Sequence, residues 1–167
     1  MPEMRVTVVN TAAEIEQVAD LARQIWNQHF VPIIGQGQVD YMLEKFQSVA
    51  AITRQISDGY EYYLTRAEES PIGYLCLIFP VDDEHAQLSK LYLLAEKRGQ
   101  GLGREMLDCC EQRCRERDKQ RLWLTVNRHN TGSIRFYEKA GFINAGTLLA
   151  DIGNGYVMDD FKMEKAL

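Results

Sequence analysis

An apolar run, Leu91-Tyr92-Leu93-Leu94-Ala95, breaks at Glu96-Lys97-Arg98 into Gly99-Gln100-Gly101-Leu102-Gly103 and opens directly onto a helix. No other segment constrains the chain as much. Glycines in such a turn let backbone N–H groups point inward with no side chain in the way. The helix that follows adds its own unpaired N–H groups and the positive end of its dipole, so the corner attracts a phosphate.

Two familiar phosphate loops do not fit. A Walker loop needs G-x-x-x-x-G-K-[ST], and that string is absent. A dinucleotide fingerprint needs G-x-G-x-x-G, but counting on from Gly101 puts Met106 where the third glycine belongs, and counting from Gly99 puts Arg104 there. The loop also falls past mid-chain, whereas dinucleotide folds place it after the first strand. The pattern that fits is Arg98-Gly99-Gln100-Gly101-Leu102-Gly103, read as [QR]-x-x-G-x-[GA].

A second block spans residues 127–142: Asn127-Arg128-His129-Asn130-Thr131-Gly132-Ser133-Ile134-Arg135-Phe136-Tyr137-Glu138-Lys139-Ala140-Gly141-Phe142. On these two blocks the chain resembles the GNAT superfamily of N-acetyltransferases. The first is similar to that family's acyl-CoA pyrophosphate loop, the second to its signature N-x-x-[AS]-x-x-[FL]-Y-x-K-x-G-F. The resemblance implies one α/β (α+β) domain over residues 1–167, with a mixed, mostly antiparallel central sheet of about seven strands flanked by helices. That sheet should splay at the strand before the glycine-rich loop. It further implies acetyl-CoA as donor, CoA as product, and direct attack by a primary amine in a ternary complex.

Composition is consistent with this. Hydrophobic residues make up 46% and charged residues 26% of the 167 positions, the values of a globular protein long enough for a sizeable core. No apolar stretch reaches the length of a membrane span, and Met1-Pro2-Glu3-Met4-Arg5 lacks a leader's apolar core. A net charge of −5 argues against a nucleic-acid partner. The expected setting is cytoplasmic, as a monomer or homodimer. Cys76, Cys109, Cys110 and Cys114 have neither C-x-x-C spacing nor accompanying histidines, so reduced thiols are expected rather than metal ligands or nucleophiles.

The pattern predicts strands over 5–10, 60–66, 72–79, 87–94, 121–127, 143–150 and 156–163. Helices are predicted from the Thr11–Glu14 capping box to about 28–30, and over 38–46, 49–57, 101–118 and 131–140. Residues 31–35 read as a loop and 68–71 as a polar turn. Gly153-Asn154-Gly155 reads as the tip of a closing hairpin.

Acetyl transfer to an amine needs a grip on the donor, a polarised carbonyl, a base for the amine and an acid for the leaving thiolate. Backbone N–H groups from Gly99 through Gln100, Gly101, Leu102 and Gly103 would grip the pyrophosphate, with charge from Arg98 and Arg104. The resemblance implies that the Leu91 amide faces the thioester oxygen and that Leu93 bonds the pantetheine arm. It also brings Asn130, Ser133 and Tyr137 to the cofactor, with Asn130 bonding the arm or capping its helix and Tyr137 acting as general acid. Where histone-type relatives carry a basic glutamate, this chain has Gln87, which cannot accept a proton. His85 is the candidate base, with Glu84 or a water chain as alternatives. Candidates for the acceptor pocket are His29, Phe30 and Tyr41 on one side and Tyr156, Asp159 and Asp160 on the other. Adjacent strand residues face opposite ways, so one aspartate of the pair at most can serve.

Within the superfamily, the ending Tyr156-Val157-Met158-Asp159-Asp160-Phe161-Lys162-Met163-Glu164-Lys165 is similar to bacterial spermidine/spermine N-acetyltransferases. Gln87, Ser89 and Lys90 stand where such enzymes can carry acidic residues, and a lysine there would repel a polyamine. A protein N-terminal amine acetyltransferase of the ribosomal-protein type and a non-catalytic acyl-CoA sensor are the alternatives.

Overall fold

A computed structural model describes residues 3–167. Met1 and Pro2, which open the segment read above for a leader, lie outside the described residues. Strands β1 (Met4–Val8), β2 (Glu61–Ala67), β3 (Ser70–Ile78), β4 (His85–Leu93), β5 (Arg121–Asn127), β6 (Ile143–Gly153) and β7 (Tyr156–Ala166) form one seven-stranded sheet. Its order is β1-β2-β3-β4-β5-β7-β6, and every neighbouring pair is antiparallel except β4 with β5. The helices are α1 (Ala12–His29), α2 (Val31–Ile34), α3 (Gln36–Phe46), α4 (Val49–Ser57), α5 (Leu102–Glu116) and α6 (Thr131–Lys139).

Alternation along the central strands decides which helix covers which face. Tyr62, Cys76 and Lys90 stand opposite one another across β2, β3 and β4. On that face Tyr62 bonds Gln55 of α4, and Tyr74 bonds Gln47 just before it. Tyr63, Leu75 and Leu77 point the other way and share a crevice with Cys109, Cys110 and Arg113 of α5. Both faces of β2 and β3 are thus covered, which is why their sequences read as near-continuous apolar runs.

Local signals explain where the helices begin. Thr11 and Glu14 form the expected reciprocal box at the start of α1, and Ser48 Oγ accepts from Ala51 N at 3.2 Å to start α4. Residues 31–34, expected as loop, form the single turn α2, because Pro32 lies in its first turn where a missing N–H is no loss. The turn between β2 and β3 is only Glu68-Glu69, both at positive φ (51° and 68°), so Ser70 and Pro71 belong to β3. The closing strands extend to Gly153 and Ala166, with Asn154 and Gly155 at φ 53° and 79° making the tight tip.

One glycine is fixed by close approach. A Cβ on Gly73 of β3 would lie 2.5 Å from the Tyr92 carbonyl oxygen of β4. Gly73→Ala should therefore push β4 aside and destabilise the protein by about 1–3 kcal/mol, read as a lower urea midpoint at unchanged slope.

Candidate active site

The parallel pairing of β4 and β5 covers only His85–Arg121, Ala86–Leu122 and Gln87–Trp123. Beyond Gln87 the strands part and leave a wedge. A bulge at Ser89 helps to turn β4 away, since Cys76 pairs with Lys90 but Leu77 pairs with Leu88. Leu94 N donates to Ile72 O at 2.9 Å, which sets the alternation along β4. Tyr92 and Lys90 turn their backbone groups to β3, so Leu91 and Leu93 turn theirs into the wedge. Leu93 O already accepts from Arg98 Nε at 3.2 Å. The Leu91 amide and the Leu93 N–H are what the strand edge offers.

The wedge is the floor of a cleft of about 920 Å³. At one end stands the glycine loop, with Gly99 at φ 76° and Gly101 at φ 81°, conformations that side-chain-bearing residues rarely adopt. Gly101 immediately precedes α5 and Glu105 N is bonded back to Gly101 O, so the N–H groups of Leu102, Gly103 and Arg104 have no acceptor within the helix. Arg98, Gly99, Gly101, Gly103 and Arg104 line the cleft. The Gln100 side chain turns back to Glu96 O, and Leu102 packs on the core, so neither side chain reaches it.

Three elements are tied together beside the loop. Arg98 Nη1 donates to His29 Nδ1 at 3.3 Å, and His29 Nε2 faces Asn130 Oδ1 at 3.0 Å. With Nδ1 accepting, Nε2 carries the proton and donates to Asn130. Burial, chiefly, and the Arg98 charge hold the imidazole below its ordinary pKa, against the Asn130 bond that raises it. Asn130 spends its side chain on this contact and makes no cap bond to α6.

Ser133 and Tyr137 of α6 also line the cleft. Tyr137 is buried among Phe136 and Phe142, and its hydroxyl has no hydrogen-bond partner among the described residues. Burial, with Tyr92 nearby, pushes its phenol pKa far up, so it stays protonated. Across the wedge, Asp160 of β7 is 3% exposed and is the one carboxylate among the described cleft residues. Burial raises its pKa to about 6, aided by Asp159 and opposed by a hydrogen bond from Thr125.

A family model described as the acetyltransferase (GNAT) family matches residues 19–142. The chain belongs to the GNAT acetyltransferase family. It is 26% identical to an uncharacterised N-acetyltransferase of Mycobacterium tuberculosis strain H37Rv, over 87% of this chain and 96% of that protein. A putative ribosomal protein bS18-alanine N-acetyltransferase of Bacillus subtilis is 30% identical over 54% of this chain and 60% of its own. Among solved structures, the PaiA N-acetyltransferase of Thermoplasma acidophilum in complex with coenzyme A shares the fold at a TM-score of 0.82. That similarity covers 99% of each chain at 21% identity. As a GNAT member the protein is an N-acetyltransferase with acetyl-CoA as its acyl donor.

Several expected GNAT site residues lie elsewhere. His85 does not line the cleft; it sits in the paired stub opposite Arg121, where β4 and β5 are still joined. Asp159 faces away from the cleft and pairs with Arg128 at 2.9 Å, because strand alternation gives the inward position to Asp160. Tyr41 and Tyr156 do not line it either. Their rings pack 5.3 Å apart and Tyr41 O–H donates to Ile152 O at 2.6 Å, which fastens α3 to the β6–β7 hairpin. His29 and Phe30 do line the cleft, although both ring nitrogens of His29 are engaged. Trp26, Gln47 and Tyr92, which the sequence did not single out, also stand in the cleft wall, as does Lys90, expected there as a charge that would repel a polyamine. The only advance signal among them was the charge of Lys90 in an otherwise apolar strand.

Proposed function

We propose that the protein transfers the acetyl group of acetyl-CoA to a primary amine by direct attack, with Asp160 accepting the amine proton and Tyr137 protonating the thiolate. The observation that carries this reading is the wedge itself, with amides of Leu91 and Leu93 on one edge and two proton-handling side chains in the same cleft. The Leu91 N–H would stabilise charge developing on the carbonyl oxygen; such a donor contributes about 10²–10³ in rate. Asp160, with its pKa raised to about 6, is ionised at neutral pH yet basic enough to take a proton. The N–H groups at the start of α5, with Arg98 and Arg104, would hold the pyrophosphate.

Release of free CoA thiol from acetyl-CoA, followed across polyamines, amino acids, aminoglycosides and short peptides, tests the reading. Turnover confined to one acceptor class is the expected result. Tight acetyl-CoA binding without turnover of any amine would replace it with a sensor.

A further inference from the structure

The face of β2, β3 and β4 turned toward α1, α3 and α4 holds a surplus of hydrogen-bond donors. Lys90 is 7% exposed. Its ammonium reaches past Cys76 to the Tyr62 hydroxyl at 2.5 Å and Gln55 Oε1 at 2.9 Å, both neutral. No carboxylate of the described residues pairs with it, and burial pulls its pKa down. Gln47 is 4% exposed; Tyr74 O–H donates to its Oε1 at 2.8 Å, leaving the amide N–H groups without an acceptor among the described residues. Trp26 Nε1 is buried without an acceptor as well. All three residues belong to the cleft wall.

A buried cation set among neutral partners is costly unless something anionic joins it. Asp160 stands on β7, on the far side of the wedge from the strands Lys90 reaches across. We infer that Lys90 and Gln47 receive a carboxylate of the acceptor, so the substrate is an amine that also carries a carboxylate, its amine toward Leu91 and Asp160. This rests on the reading of the cleft as an amine acetyltransferase site. It goes further in naming the acceptor's second group.

The strand geometry also sets the spacing between the two groups. Lys90 leaves β4 one residue before Leu91 and extends over β3, so the carboxylate lies about one strand spacing, about 5 Å, from the wedge. That separation suits an ω-amino acid or a lysine ε-amine better than an α-amino acid, whose two groups share one carbon. A diamine of the same length would instead bring a second ammonium against Lys90.

Three acceptors of matched length decide the matter: 5-aminopentanoate, pentylamine and 1,5-diaminopentane. The expected order of kcat/KM is the amino acid first, the alkylamine next and the diamine last, with the amino acid favoured over the alkylamine by about 10- to 100-fold. Lys90→Met should collapse that ratio, chiefly through the KM of the amino acid, and Lys90→Glu should turn preference toward the diamine. Calorimetric titration of 5-aminopentanoate into the CoA-loaded protein reads the same contact without turnover, and its heat should vanish in Lys90→Met. Equal kcat/KM for the three amines, or an unchanged preference in Lys90→Met, overturns the inference while leaving the acetyltransferase reading in place. Binding that depends on Lys90, with no amine acetylated, would do the reverse. Should a variant fail to fold, the wild-type ranking still decides.

Discussion

Tyr137→Phe should lower kcat by about 10²–10³, the range expected when a general acid is removed, while acetyl-CoA still binds within a few-fold of wild type. The phenol is buried, and its raised pKa keeps it protonated at any pH where the protein folds. Its hydroxyl makes no hydrogen bond to the described residues, so its loss should change stability by no more than about 0.5 kcal/mol. These two readouts separate chemistry from packing. A tyrosine that merely wedged α6 against the sheet would leave the rate intact, since phenylalanine fills the same space beside Phe136 and Phe142. Stopped-flow thiol release and a urea melt on the same preparation would decide it. An unchanged rate would remove Tyr137 from the mechanism.

Asp160→Asn should have an effect of similar size and opposite signs in its two parts. kcat/KM should fall by about 10²–10⁴, and the acid limb of the pH–rate profile, expected near the Asp160 pKa of about 6, should vanish. Stability should move the other way. The folded pKa of about 6 stands above the ordinary 3.8, so the native state holds this proton more tightly than the unfolded chain between those two values. Ionising Asp160 therefore costs stability as pH rises through that window, and the cost is complete above about pH 6. Asparagine removes it, for a gain at neutral pH of up to about 3 kcal/mol and a Tm higher by several degrees. Below about pH 4 the two proteins should melt together. A variant that kept its acid limb would assign proton acceptance to a water chain.

The parts of this site that depend on backbone were legible in the sequence, and those that depend on where a side chain ends up were not. Gly99 and Gly101 adopt positive φ, a requirement that limits the residue type and so leaves a mark in the sequence. The end of α6 is marked in the same way by Gly141 at φ 101°. On the acceptor side no such requirement exists. Asp159 and Asp160 are equivalent in the sequence, and only the register of β7 on β5 sends one inward and the other to Arg128. His85 lies two residues before Gln87, a short step along β4 but one that ends where the wedge has closed. Trp26, Gln47 and Lys90 come from a helix, an interhelical link and a strand, and nothing local to any of them announces the other two.

The short seam between β4 and β5 has a mechanical consequence. Among the described residues, three residue pairs and the backbone bonds from Gln120 and Arg121 to Glu84 O join β4 to β5, and the rest of that boundary is open edge. A pantetheine arm bonded to Leu91 and Leu93 would lie where an eighth strand belongs. The boundary beyond Gln87 would then be bridged only while donor is bound. Such a donor would act as a removable rib of the fold, and its departure as CoA would leave the short seam ending at Gln87 as the pairing between β4 and β5.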